Sequence, residues 1–243
     1  MSERGRHLWV RSVRVGLRVA MVVAVLSLFG TLAWREYREP VRAAVRDYLA
    51  YRRVSQHEAA LRVAAKESGV DPCLLAALMM VESSGRVDAR SKVGALGLFQ
   101  LTLVSARWRA ELLGLPEPSE AQLLSDAELN ARLGADNLAW LLATYDDDVD
   151  RALCAYNTGA RRLKELTDAA GGWEAWRAER ERAGDSPLLV YVHRVLHYRD
   201  ELHARGFFAE FYPPPAVFLA PPAGAGPAAG GAAPAPLTPE EER

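Results

Sequence analysis

The run of apolar positions is densest between Asp71 and Gly85, DPCLLAALMMVESSG. Asp71 can cap a helix start, Pro72 suits the first helical position, and Gly85 offers a left-handed stop beyond the end. From Cys73 to Val81 there is no polar side chain, a pattern that predicts a helix buried on nearly every side. Glu82 follows. At about 100° per residue it falls on the stripe of Leu75, Leu78 and Met79. The pattern leaves two readings open. Either a carboxyl group sits at the mouth of an apolar core, where burial raises its pKa towards that of a proton donor, or a carboxylate faces water at a fraying helix end.

Other helices are marked less fully. From about Ser55 a small apolar stripe, Ala59, Ala60, Val63 and Ala64, runs to a stop at Gly69. Gly94 to Thr102, GALGLFQLT, reads as a turn whose two glycines let the main chain approach a ligand, with Gln100 at its lip offering a donor and acceptors. Ser125 with Glu128 predicts a capping box for a helix reaching about Tyr145, with Leu129, Leu133, Leu138, Leu141 and Leu142 on its core side. Asp146 to Asp148 reads as a solvated acidic turn whose last residue caps the helix of DRALCAYNTG, Asp150 to Gly159, and not as a calcium loop. Residues 160 to 187 look irregular, with Trp173 and Trp176 as packed indoles or as platforms for sugar rings. A last helix starts at Pro187, with Tyr191, Val192, Val195 and Leu196 inward and His193, His197 and His203 on its wet face. No segment alternates as a strand does. Six or seven short helices therefore predict an all-α domain of about 150 residues.

The two ends differ from this middle. Arg4, Arg6, Arg11, Arg14 and Arg18 precede an uncharged run from Val19 to Trp34, an export or anchoring signal with its positive side in the cytoplasm. A run this short makes a helix of about 24 Å, which Arg18 can lengthen by snorkelling. Thr31 and Ala33 also allow a weak cleavage site, so residues 1–34 are read as a transmembrane anchor or a signal peptide. Residues 35–54 read as a membrane-proximal helical spacer broken or started near Pro40, residues 55–210 as the folded domain, and residues 211–243, rich in Pro, Ala and Gly, as a disordered tail.

Charge narrows the function classes. The chain of 243 residues has a net charge of -1 with no basic excess in its folded part, which gives nucleic-acid binding no support. Scattered His and Cys make no metal-ligand cluster, which argues against a zinc site, and no Gly-rich phosphate loop follows a predicted strand.

Taken together and in order, VESSG, GALGLFQLT, ALCAYNTG and YVHRVL resemble the successive motifs of the soluble lytic transglycosylase (SLT) domain family, related to goose-type lysozyme. The likeness covers about Ser55 to Arg205. It implies a lysozyme-like helical fold with a groove for peptidoglycan glycan strands, and cleavage of the β-1,4 bond between MurNAc and GlcNAc. Matched position by position, Glu82 resembles the catalytic acid/base, and Ser83 its neighbour that orients substrate. Gln100, Tyr156, Asn157 and Tyr191 resemble the family's substrate-binding or supporting positions. Phe99 stands where Met is usual, Ser84 where Gly is common, and Arg161 and Arg162 where Pro and Gly often follow. The mechanism that the resemblance implies needs one carboxyl group and neither a metal nor an organic cofactor. Glu82 protonates the glycosidic oxygen, the substrate's 2-acetamido group stabilises the cation, and Glu82 then takes a proton from the C6 hydroxyl as the 1,6-anhydro ring closes. A hydrolytic muramidase of the same fold and an inactive peptidoglycan-binding scaffold are the alternatives.

An oxidising compartment outside the cytoplasmic membrane would permit Cys73 and Cys154 to form a disulfide, and both lie on core helices. Two buried thiols are the other reading.

Overall fold

The computed structural model describes residues 3–211, with side chains described from residue 20 onward except at positions 32 and 33. The tail expected to be disordered lies outside the described residues, apart from Phe211. Among those residues the structure is helical. The only extended pairings are two isolated antiparallel bridges, Arg90 with Leu96 and Leu96 with Leu101. The all-α expectation holds among the described residues.

Helix α1 spans Glu3–Gln56 and passes through Pro40 without ending. Pro40 removes one backbone donor, but the turns on either side keep theirs, so the break expected there does not occur. The part from Ala20 onward is long and apolar enough to cross a membrane, with Met21, Leu26 and Phe29 exposed. Its last turns instead pack inward. Ala50 and Val54 are buried, and the carboxylate of Asp47 accepts from the Tyr198 hydroxyl at 2.8 Å.

Helix α2, Glu58–Ser68, buries Leu61, Ala64 and Ala65, while Val63 is exposed. The buried face thus runs through Leu61, one position beside the expected stripe, because the larger side chain takes the inward place.

Helix α3, Pro72–Ser83, is the axis of the domain. Asp71 caps it by accepting from the Cys73 N–H at 2.8 Å, and every residue from Pro72 to Met80 is buried. A fully buried leucine of this kind contributes about 1.5–3 kcal/mol, so Leu74, Leu75 and Leu78 anchor the core. The helix ends at Ser84 and Gly85, both left-handed. A Cβ on Gly85 would lie 2.8 Å from the Arg53 Cβ and the Val54 nitrogen, so the glycine is what lets α1 press on this turn.

The chain continues through α4 (Leu103–Leu112), the short α5 (Glu120–Leu123), α6 (Ala127–Thr144), α7 (Val149–Thr158), α8 (Ala160–Ala169), α9 (Trp173–Ala183) and α10 (Pro187–Ala204). Helix α10 packs along α3 and α7, while α6 packs on α2, α4 and α7. Asp126 caps α6, not Ser125, by accepting from the Leu129 N–H, and the capping box of this region belongs to α5, between Ser119 and Gln122. The segment expected to be irregular forms α8 and α9, whose tryptophans Trp173 and Trp176 are buried and stacked. They are therefore core, not platforms. A second unit, Ala209–Arg243, is described only over a 3-10 turn at Ala209–Phe211.

Candidate active site

Glu82 is in the last turn of α3, where an otherwise apolar helix reaches the surface. Part of its surface meets solvent, yet protein atoms surround most of the carboxyl group. Burial pushes its pKa from 4.5 up to about 6, against smaller downward pulls from the Tyr191 hydrogen bond and the Arg194 charge. The Tyr191 hydroxyl, on α10, donates to Glu82 Oε1 at 2.5 Å. Burial raises the Tyr191 pKa well above its ordinary value, so the phenol remains a neutral donor.

In front of Glu82 opens a groove of about 600 Å³. Gln100, Tyr156 and Asn157 line it together with Glu82, so three widely separated stretches of chain meet there. Tyr191 does not line it but supports Glu82 from the side. Ser83 lies elsewhere. It is buried, its hydroxyl donates to the Met79 carbonyl at 3.2 Å and accepts from the Gly85 N–H, and so it serves the end of the helix.

Gln100 reaches the groove through a tightly built turn. Its own φ is +48°, and Gly97 has φ +74°. Its side-chain nitrogen donates to the carbonyls of Ala89 at 3.1 Å and Gly97 at 2.9 Å. The donor that the sequence offered to a ligand is thus used by the turn, and Oε1 is the atom left to face a substrate. Tyr156 is similarly engaged: its hydroxyl donates to the Phe99 carbonyl at 2.8 Å, tying α7 to the same turn.

The residue that holds this turn was not singled out in the sequence. Asn130, buried in α6, accepts from the Phe99 N–H at 2.9 Å and donates to the carbonyls of Leu96 and Leu123. Two glycines make room for it and for Phe99. A Cβ on Gly97 would lie 2.1 Å from Asn130 Nδ2, and one on Gly134 would lie 2.3 Å from the Phe99 ring. Ser91, Thr102, Ser105, Trp108, Asn137 and Trp140 also line the groove. They occupy helix faces and turn positions whose convergence depends on tertiary packing, and the one-dimensional pattern carries no signal for them beyond their residue types. Arg161 and Arg162 pair with Glu165 on α8 and do not line the groove.

Cys73 and Cys154 are not joined, which corrects the disulfide allowed by the sequence: both are buried thiols. The Cys73 thiol donates to the Phe207 carbonyl at 3.2 Å, and burial pushes the Cys154 thiol up to about 12. Asp71, Cys73 and His203 bring potential metal-ligating atoms within 4.8 Å of one another. Asp71 already caps α3, however, and its other oxygen lies 3.1 Å from His203 Nε2, so the trio joins the start of α3 to the end of α10.

Residues 59–178 match the family described as the transglycosylase SLT domain. This chain carries a transglycosylase SLT domain. It is 32% identical over 112 residues to membrane-bound lytic murein transglycosylase F of Pasteurella multocida (strain Pm70), covering 42% of this chain and 21% of that protein. It is 34% identical over 112 residues to the peptidoglycan transglycosylase gp16 of Escherichia phage T7, covering 45% of this chain and 8% of that one. Among solved structures, an inactive mutant of the lytic transglycosylase Slt from Pseudomonas aeruginosa superposes with a TM-score of 0.52 at 30% identity, over 61% of this chain and 24% of that one. The 70-kDa soluble lytic transglycosylase in complex with bulgecin A gives 0.53 at 25% identity, over 60% and 24%. The SLT domain is thus what the relatives share with this chain, which spans about a fifth or less of the curated relatives' length.

Proposed function

We propose that the protein is a peptidoglycan lytic transglycosylase that cuts the β-1,4 bond between MurNAc and GlcNAc and leaves 1,6-anhydroMurNAc ends. The observation that carries this reading is the state of Glu82: a carboxyl held near pKa 6 at the wall of a groove in which it is the only carboxylate among the described lining residues. A glycosidase with a separate nucleophile or base needs a second carboxyl some 5–10 Å away. A single carboxyl group suits a reaction in which the substrate supplies the other groups. Glu82 protonates the glycosidic oxygen as the bond to the anomeric carbon breaks, and the 2-acetamido oxygen stabilises the cation. The carboxylate then removes the C6 hydroxyl proton as that oxygen bonds to the anomeric carbon. Glu82 ends protonated, and no water is consumed.

The geometry supports a role for each neighbouring side chain. Tyr191 holds one oxygen of Glu82 and leaves Oε2 for the proton transfers. Gln100 Oε1 and Asn157 face the strand, while Tyr156 fixes the turn that carries Gln100. Residues 55–210 form the catalytic domain, residues 19–34 anchor it in the cytoplasmic membrane, and the basic residues before them keep that end inside. The catalytic domain then acts in the cell envelope outside the cytoplasm, or is released if the N-terminal segment is cleaved.

Digestion of purified peptidoglycan by the full chain, followed by mass spectrometry of the products, tests this reading. Anhydro-ended muropeptides are expected. Reducing MurNAc ends would instead assign a hydrolytic muramidase, and an undigested wall would assign a binding scaffold.

A further inference from the structure

Helices α4 and α6 build one wall of the groove. Helix α4 contributes Val104, Ser105 and Trp108 to its wall, and α6 contributes Asn137, Trp140 and Leu141. Both sets follow helical spacing, so each is one continuous face. Trp108 and Trp140 meet edge to face, with ring centroids 4.9 Å apart and an interplanar angle of 89°. Unlike Trp173 and Trp176, they meet solvent: Trp108 is 40% exposed. Neither indole N–H has a hydrogen bond among the described residues.

The pair is held in place by a side chain that does not reach the surface. Arg109 is buried, and its guanidinium carbon lies 4.9 Å from the Trp108 ring centroid and 5.9 Å from that of Trp140. An ion pair with Asp136 fixes the guanidinium in turn. Two indoles positioned by a buried cation, with their N–H groups unspent, form a rigid ledge with an apolar face and polar edges.

The groove chemistry narrows what this ledge takes. Apart from Glu82, the described lining side chains are uncharged: hydroxyls, amides, indoles and aliphatic groups. A charged stem peptide finds no ion-pair partner there. A neutral sugar ring does find partners, since its C–H face can lie on an indole while Ser105, Asn137 and the indole N–H groups meet its hydroxyl and acetamido groups. Trp108 is six residues beyond Thr102, about 9 Å along α4 at 1.5 Å per residue, and both line the groove, so its wall extends that far beyond the turn that carries Gln100.

We infer that Trp108 and Trp140 form a pyranose-binding subsite on the wall of the groove built by α4 and α6, which grips the N-acetylhexosamine strand at a ring other than those flanking the bond that is cut. The subsite rests on the proposed function and sets the strand length the enzyme prefers. It holds the strand and moves no proton.

The test uses the full chain in detergent with Glu82→Gln, so that nothing is cut, and follows binding of chitobiose and chitohexaose by calorimetry. The longer ligand should bind more tightly. Adding Trp108→Ala should weaken chitohexaose roughly tenfold and leave chitobiose unchanged, while Trp108→Phe keeps most of the affinity because a ring remains. Thermal melts of each variant establish that it is folded. Chitohexaose binding unchanged by Trp108→Ala, or both ligands weakened equally, overturns the subsite and leaves the proposed function standing. Binding of neither ligand to the Glu82→Gln protein overturns both.

Discussion

The Tyr191 hydroxyl donates to Glu82 Oε1 at 2.5 Å and so joins α10 to α3 at the carboxyl group that lines the groove. Two opposing effects meet at that oxygen. Burial favours the neutral acid, while the phenol and the more distant Arg194 favour the carboxylate, and burial prevails to leave the pKa at about 6.

The first prediction concerns pH. Protonated Glu82 is the form that can donate to the glycosidic oxygen, so kcat/KM for strand cleavage should fall as pH rises through about 6. Glu82→Gln keeps an amide of similar shape but has no proton to give, and it should reduce cleavage at least 10²–10⁴-fold. A profile flat up to about pH 8 would assign the proton to another group.

Tyr191→Phe removes the hydrogen bond that lowers the Glu82 pKa and leaves the burial that raises it. The descending limb should therefore move to higher pH. Arg194→Gln should move it the same way by less, and most visibly at low salt, because a more distant exposed charge is screened. Profiles of both variants against the parent decide this. A limb that stays in place in Tyr191→Phe means that the phenol packs beside Glu82 without tuning it.

How far the site could be read from the chain depends on how local each feature is. Asp71, Pro72 and the apolar run to Val81 specify α3 and place Glu82 by short-range rules, and both hold in the structure. Helix α6 starts one residue beyond the expected cap: Ser125 and Asp126 are both competent caps, but the Ser125 hydroxyl donates to the Ala121 carbonyl and Asp126 takes the position. Residues 160–187 read as irregular because the helices there carry many charges around few apolar positions, and burial of Leu163, Trp173 and Trp176 overrides that pattern. Gln100 and Tyr156 could be named, but not the partners that consume their polar atoms. Ala89, Gly97 and Phe99 act there through backbone carbonyls, and a carbonyl carries no residue-specific signal.

Asn130 gives the third prediction. Replacing it with Ala strands the Phe99 N–H and the Leu123 carbonyl in a buried place, each of which costs about 1–3 kcal/mol when unpaired, while the Leu96 carbonyl keeps the Leu101 N–H. Stability should fall by at least about 2 kcal/mol on that basis, and the turn bearing Gln100 should loosen. Urea denaturation measures the first effect, and a raised KM in the folded fraction reports the second. A variant as stable as the parent would show that the turn holds itself.

The cysteines give the fourth. With both thiols buried and unjoined, a thiol reagent should react slowly with the native protein and titrate two groups after denaturation. Cys154 should be the slower, because burial and the nearby Asp150 and Asp148 keep it protonated. Reductant should leave the melting temperature unchanged. A chain that yields thiols only after reduction would contain the bond that these positions do not form here.

The last prediction links the site to stability. Glu82 titrates at 4.5 when unperturbed and at about 6 in the fold, so the native state holds this proton more tightly than the unfolded chain does. Its contribution to stability is full below pH 4.5 and is lost as pH rises through about 6. At 1.36 kcal/mol per pKa unit the loss approaches about 2 kcal/mol. Glu82→Gln has no such proton to lose. Its stability should match that of the parent at pH 4.5 and exceed it by up to about 2 kcal/mol at about pH 8. Paired urea denaturation curves at the two pH values measure the difference directly. Equal stability at the higher pH would mean that ionised Glu82 is fully hydrated in the fold, and the proton donor assigned to the groove would lose its physical basis.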